Sequence, residues 1–241
     1  MFKIDEKYLI DKNFKPADFV AKELSRADKK KLKEVIKNAT LKYQIKGEEI
    51  PSLIDEQYNY QVIMFFEIEL NSIKNATYVN NILQKEVIKA PCIFKFYDVS
   101  SCCYAFADKR LSMTEEKTVV VDSTLVTAPQ PKSAILDDRL LYANIKNKTN
   151  KRSFYTELMI KAYVLNNAKM IQDLTTVFDA QIWYDKTRKM EFYYKLRELQ
   201  ACKEKQARTV IAQEKVQLNT QMKKLIEEIQ SYYKGINNGI S

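Results

Sequence analysis

Across 241 residues the chain has three glycines, Gly47, Gly235 and Gly239, so the stretch from 48 to 234 has none. A loop that cradles phosphate needs several glycines to bring backbone N–H groups close to the anion. P-loop and dinucleotide-binding fingerprints are therefore excluded. Histidine is absent altogether, which removes His-based triads, His-ligated zinc and His general bases together. Any catalysis would have to rest on carboxylates, lysines, tyrosines or thiols.

Other bounds follow from composition. Hydrophobic residues make up 46% of the chain, enough to build a core rather than a disordered tail. No run of about 18 apolar residues occurs, so no membrane-spanning helix is expected. The N-terminal MFKIDEKYLIDKNF mixes acids and bases and lacks the apolar core of a signal peptide. Cys92, Cys102, Cys103 and Cys202 show no CxxC spacing, which favours reduced structural thiols and a cytoplasmic location. A formal charge of +9 and a pI near 9.1 suit nucleic acid or an acidic protein as partner.

The pattern changes near residue 135. Ser25 followed by Asp28 resembles a capping box opening the helical run RADKKKLKEVIKNA, with Leu32, Val35 and Ile36 on one face. In TLKYQIK, Leu41, Tyr43 and Ile45 alternate with polar residues as on a half-buried strand. QVIMFFEIEL reads as a central strand, buried on both faces at its start and wet on one near its end. A helix starts at Asn75 or Ala76 and Pro91 stops it; CIFKFYD and CCYAFADK form a hairpin around Val99-Ser100-Ser101. A β-α-β-β core thus runs from about 40 to 108, KTVVVDSTLV offers a further strand, and TAPQPKS looks like a linker.

The second half reads as helical, with helices over roughly 135–147 and 152–178. Thr187 to Tyr233 contains neither Gly nor Pro. Apolar residues at Phe192, Leu196, Leu199, Ile211, Leu218, Met222, Leu225, Ile229 and Tyr232 follow the steps of three and four of a coiled-coil seam, interrupted at Lys203 to Gln206. A helix of that length, roughly 68 Å at 1.5 Å per residue, suggests a helical hairpin, a dimerisation arm or a docking strut. The expected fold is α+β. A small mixed sheet with helices occupies 1–128, and a long-helix, coiled-coil-like domain occupies 135–241.

KKKLKEVIKNATLKYQI, VIMFFEIEL, YVNNILQKEVIKA, CIFKFYDVSSCCYAFADKR and EKVQLNTQMKKLIEEI occur in this order over most of the chain. In them the chain resembles the bacterial family called domain of unknown function 4391. Its members look like genomic neighbours of Swi/Snf-type helicases and type III-like DNA methyltransferases. The resemblance implies an accessory part in DNA modification or anti-phage defence and carries over no catalytic residue. The short segment before the first helix departs from the family pattern.

Candidate sites come from the residues themselves. Glu67 and Glu69 share one face of a strand, about 6.6 Å apart along it. With Asp55 or Glu56 upstream they could hold Mg²⁺ for a nuclease of the acid-then-D/E-x-K type. The lysine position of that pattern is Glu69, and Lys74 lies beyond the strand. The plainer reading is two solvent-facing carboxylates, or pairs with Lys42 and Lys46 on a neighbouring strand.

Lys29, Lys30, Lys31, Lys33, Lys109, Arg110, Lys148, Lys151 and Arg152 are candidates for phosphate contact, against the plain reading of solvated charge. Leu196, Leu199, Leu218, Met222, Leu225 and Ile229 are candidates for an interface between chains. Trp183 fits a packing anchor at the tip between the long helices, or an interface hot spot. Cys102 and Cys103, adjacent on a strand, cannot both face one core, so one is expected to be exposed.

The favoured function is a non-enzymatic adaptor needing no cofactor. It would dock on a helicase or on DNA through its basic surface and long helices, with homo-oligomerisation through those helices also open. The alternative is a Mg²⁺-dependent nuclease at Glu67, Glu69 and Asp55.

Overall fold

The computed structural model describes residues 2–115, 118–131 and 139–234. They fall into two compact units, Met1–Met159 and Ile160–Ser241.

The first unit is built on a seven-stranded sheet in the order β1-β2-β5-β6-β7-β8, with β9 alongside β7. Its strands are β1 (Leu9–Phe14), β2 (Ile36–Ile45), β5 (Ile63–Leu70), β6 (Cys92–Tyr97), β7 (Ser101–Leu111), β8 (Val119–Val126) and β9 (Gln130–Pro131). β3 (Leu53–Ile54) and β4 (Asn59–Tyr60) form a separate small hairpin. β5 and β6 run parallel, joined by a helical crossover; the other pairs in the sheet are antiparallel.

Helix α1 (Arg26–Val35) starts where expected, with Ser25 Oγ accepting from the Asp28 amide at 3.1 Å. It ends sooner than the polar–apolar pattern suggests, because β-branched Ile36 opens β2 directly. Helix α2 (Ala76–Ile82) continues as a π turn, Leu83–Val87, before Pro91. α1 and α2 cover one face of the sheet: Leu32, Val35, Val79 and Leu83 meet Phe66, Ile68, Leu70, Phe94 and Phe96. Side chains of the opposite register face the other way. There Phe65, Tyr104 and Phe106 pack with Phe2, Tyr60 and Tyr155. Burial on both faces explains why Cys102 and Cys103 are both buried, against expectation. Cys103 lies in the α1–α2 core, and the Cys102 thiol sits 3.7 Å from the Pro131 carbonyl beside β9. Part of the TAPQPKS stretch is therefore strand.

Two expected helices are corrected. Of the run 135–147, residues 135–138 lie outside the described residues, and 142–144 form a single 3₁₀ turn. The Lys146 and Asn147 amides donate to the Glu157 carboxylate (2.9 and 2.8 Å) rather than to helix carbonyls. The run 152–178 is two helices, α3 (Lys151–Asn166) and α4 (Leu174–Asp179). Asn167 bonds the Tyr163 carbonyl with its own side chain (2.9 Å), and Asp173, at φ 56°, caps α4. Both are local polar contacts that compete with helix continuation.

The second unit centres on α5 (Lys186–Arg208) and α6 (Ala212–Lys234), two 23-residue helices. They pair antiparallel: Arg188 reaches the Tyr232 carbonyl, Lys195 meets Glu228 at 2.9 Å, and Lys205 meets Glu214 at 2.9 Å. The break falls at Thr209–Ile211, three consecutive β-branched residues, and not at Lys203–Gln206. Their restricted side-chain rotamers make such a run a poor helix centre.

Candidate functional site

The strand MFFEIEL forms as expected, and its two glutamates lie half-buried on the face away from α1 and α2. Register places Glu67 between Thr40 of β2 and Lys95 of β6, and Glu69 between Asn38 and Tyr97. All of these sit toward the carboxyl ends of the one parallel pair, where open α/β sheets tend to bind ligands. Glu69 pairs with Lys37 at 3.7 Å. Lys42, the expected partner, instead donates to Asp11 at 2.7 Å, and that bond, ahead of the Asp11 and Glu67 charges, raises its pKa. Burial, and secondarily the charges of Glu69 and Glu67, raises the pKa of Tyr97. Lys95 was not singled out in the sequence, because only sheet register brings a residue 28 positions away beside Glu67.

Asp55 does not join this group. Its Oδ1 accepts from the Gln57 and Tyr58 amides (2.9 and 2.7 Å) within the β3–β4 turn. That turn is fastened to the Leu111 end of β7, since the Leu111 amide donates to the Gln57 carbonyl at 2.7 Å. Glu67 lies in the row of Lys95 and Tyr104, seven residues back along β7. The separation is therefore roughly 20 Å at the rise of a strand. Among the described residues no group of three or more His, Cys, Asp or Glu could hold a metal ion.

The basic candidates separate. Lys109 is buried, its Nζ donating to the carbonyls of Ile88 (2.5 Å) and Ala90 (3.0 Å). Lys151 is buried too, donating to the Gly47 and Ile50 carbonyls (2.8 and 2.7 Å) and to Ser52 Oγ. Burial lowers the pKa of both. Neither ammonium is offered to a phosphate, which corrects the expectation for these two residues. A lysine can occupy the interior where backbone carbonyls take the place of water.

Arg110 donates from Nε to both carboxylate oxygens of Asp122 at 3.0 Å, and Arg152 stacks on the Tyr58 ring at 3.6 Å. Lys148 lies over the Tyr142 ring at 4.5 Å. Lys29 donates to the Lys22 carbonyl, Lys30 pairs with Glu34 at 3.8 Å, and Lys31 sits 4.1 Å over the Tyr78 ring, while Lys33 is exposed. The α1 lysines remain one cluster; the other candidates are dispersed on β7 and the start of α3.

The six candidate interface residues are also placed differently. Leu196, Leu199, Leu218, Met222, Leu225 and Ile229 are all buried within the second unit. The hairpin closes on its own seam, so these side chains do not form a surface for another chain. Trp183 is fully buried at the opposite end of α5 from the turn. It donates to the Val177 carbonyl at 2.9 Å and stands edge-on to Phe192, so the packing-anchor reading holds and the tip placement does not.

What the hairpin does expose is its turn. Val210 is 91% exposed, Ile211 60% and, one turn into α6, Val216 64%. Beside them is a cleft of 410 Å³ lined by Ala201, Glu204, Lys205, Arg208, Thr209 and Glu214. Residues 160–241 hold fourteen Lys and Arg against nine Asp and Glu, whereas 1–159 hold twenty-six against twenty-two. Sequence reading missed this tip because it took Ile211 for a seam position.

A mixed sheet with one parallel pair, followed by a helical hairpin with an apolar tip, defines a two-unit α+β protein. No helix among the described residues is long and apolar enough to cross a membrane. The family model described as Domain of unknown function (DUF4391) matches residues 2–229, and the chain belongs to that family. No curated protein and no solved structure matches it.

Proposed function

We propose that this protein is a non-enzymatic accessory subunit of a bacterial DNA-processing or anti-phage defence complex, with the α5–α6 hairpin as its docking arm. The observation that carries the reading is the exposed apolar tip, Val210, Ile211 and Val216, at the end of a hairpin roughly 35 Å long at 1.5 Å per residue. The hairpin's seam is already satisfied internally, so a large exposed β-branched cluster at its end is the feature that lacks a folding role. A surplus of fourteen cations over nine anions in this unit suits a partner socket with an acidic rim. The partner is a helicase subunit. The α1 lysines and Lys33 in particular are left for salt-sensitive contact with DNA.

The test is co-expression with a bacterial Swi/Snf-type helicase, followed by size-exclusion chromatography of wild type and of a Val210→Asp/Ile211→Asp double variant. A stable complex that the double variant abolishes supports the docking arm. A complex unaffected by the variant removes it.

A second reading, a divalent-metal nuclease centred on Glu67 and Glu69, is favoured by one observation: Lys95 opposite Glu67 in the parallel pair restores the basic residue that Glu69 displaces. It lacks the upstream acid, with Asp55 held in its own turn. Metal-dependent nicking of plasmid DNA that vanishes in Glu67→Gln would establish it.

A further inference from the structure

The π turn Leu83–Val87 and the two strands beneath it enclose a reactive pair with no part in the reading above. Lys109 Nζ lies 3.8 Å from Cys92 Sγ. Both side chains are buried, at 2% and 0% exposure. Gln84, inside the π turn, donates from Nε2 to the Cys92 carbonyl at 3.2 Å and accepts from Sγ through Oε1 at 3.1 Å. The Ile88 amide closes the π turn on the Leu83 carbonyl at 2.8 Å, and the Ile88 carbonyl in turn holds Lys109 at 2.5 Å. Amine and thiol are thus fixed against each other by three hydrogen bonds to one turn of chain. π turns of this kind recur at functional sites.

The pair itself is closed off from solvent, and a pocket lies against its chain neighbours. An open pocket of 490 Å³ is walled by Ala90, Pro91, Leu111 and Val119, with Asn59, Gln61, Val62 and Lys89. Ala90 is the residue whose carbonyl bonds Lys109, Pro91 adjoins Cys92, and Leu111 lies two residues from Lys109 on β7. One helical turn before Gln84, Asn80 is fully buried with both side-chain polar atoms lacking a protein partner. A buried amide of that kind marks a seam that takes up water.

We propose that Cys92 and Lys109 are a modification site, where hydrogen peroxide drives a covalent sulfenamide bridge between Sγ and Nζ. In the first step the Cys92 sulfur attacks the peroxide; the O–O bond breaks, sulfur is oxidised by two electrons to sulfenic acid, and one water leaves. In the second step the neutral Lys109 amine attacks the sulfenic sulfur; an S–N bond forms, the S–O bond breaks, and a second water carries away the oxygen and the amine proton. The net change is the loss of two hydrogens from the pair and the reduction of one peroxide to two waters.

Burial supports the second step, since it lowers the Lys109 pKa and so favours the free amine. Burial raises the Cys92 pKa, and the neighbouring Lys109 charge and the hydrogen bonds shared with Lys109 and Gln84 offset that only in part. Both directions keep the resting pair neutral, thiol beside free amine. The thiol proton leaves with the hydroxide as water while sulfur attacks the peroxide, and Lys109 then acts as the nucleophile. The bridge ties β6 to β7 beneath the π turn. A thiol reagent, by attacking sulfur, releases it.

The experiment is millimolar hydrogen peroxide on the full chain, then quenching, tryptic digestion and mass spectrometry with and without dithiothreitol. The expected product is a peptide pair joined between Cys92 and Lys109, lighter than its sum by two hydrogens. It is uncleaved after Lys109, separated by dithiothreitol, and absent when the chain is oxidised in urea. In Lys109→Arg, which keeps the cation but lacks the primary amine, Cys92 stops at a sulfenic acid that dimedone traps. If that variant does not fold, the wild-type joined peptide and its loss in urea decide the matter alone. Recovery of Cys92 as free thiol when Cys202 has been oxidised overturns the proposal. So does Cys92 found as sulfinic acid with normal cleavage after Lys109.

Discussion

Replacing Tyr155 with phenylalanine removes one oxygen atom and strands part of the joint between α3 and the sheet. The hydroxyl accepts from the Ala107 amide at 2.9 Å and donates among the carbonyls of Ala107 (2.8 Å) and Cys92 (3.1 Å). Tyr155 is fully buried, so water cannot replace it. Two simultaneous hydrogen bonds at about 1 kcal/mol each, plus an orphaned buried N–H at about 1–3 kcal/mol, give an expected loss of about 3–5 kcal/mol.

Tyr60 supplies the control. Its ring packs against Tyr155 at 5.7 Å and is as deeply buried, but its hydroxyl reaches only the Lys109 carbonyl at 3.5 Å. Tyr60→Phe is therefore expected to cost less than about 0.5 kcal/mol, because a bond at that distance contributes little. Urea unfolding with an unchanged m-value measures both, and amide exchange at Ala107 reports the joint directly. Trp183, the one tryptophan, lies in the second unit, so its fluorescence serves as the internal reference. Burial raises the pKa of Tyr155. Above the ordinary tyrosine value of 10.0 the folded chain retains protons that the unfolded chain releases, so stability falls as pH rises there. Tyr155→Phe should flatten that alkaline loss. Equal midpoints for Tyr155→Phe and Tyr60→Phe would refute the reasoning.

Three further outcomes are expected. Asp98 accepts from the amides of Ile73, Ser100 and Ser101 at 2.9–3.0 Å, and these bonds hold its pKa down at about 2. Asp98→Asn should cost roughly 1–2 kcal/mol at neutral pH; because the folded-state pKa is depressed, that difference should vanish as pH falls from 3.8 to about 2, as thermal melts will read. Glu69→Gln breaks only the half-exposed Lys37 pair at 3.7 Å and should move stability by less than about 0.5 kcal/mol in denaturant titration. Leu225→Ala empties part of the hairpin seam and should cost roughly 2–4 kcal/mol, whereas Val210→Asp at the tip should stay within about 0.5 kcal/mol; tryptophan fluorescence follows both.

The parts of the fold fixed by short-range pattern were legible in the sequence. Ser25 and Asp28 named the start of α1, Pro91 the end of α2, alternation the strand β2, and apolar runs between turn signals the strands β5 to β8. What stayed hidden depends on partners distant along the chain. Glu157 and Asn167 remove helix that periodicity alone supports, through single polar contacts. Lys109 and Lys151 read as surface cations because composition cannot show which lysines meet buried carbonyls. Lys95 gained its place beside Glu67 only through parallel register. The hairpin turn was the one local signal passed over: Thr209, Val210 and Ile211 are consecutive β-branched residues, yet the seam pattern absorbed the last of them.

The central claim is that the α5–α6 turn is where this protein joins its assembly. Hydrogen–deuterium exchange on the chain alone and after co-expression with the proposed helicase partner tests it most directly. The account predicts new protection confined to residues 205–216, around Val210, Ile211 and Val216. Protection over Glu67, Glu69 and Lys95 with an unchanged hairpin turn would contradict it and move the function to the sheet.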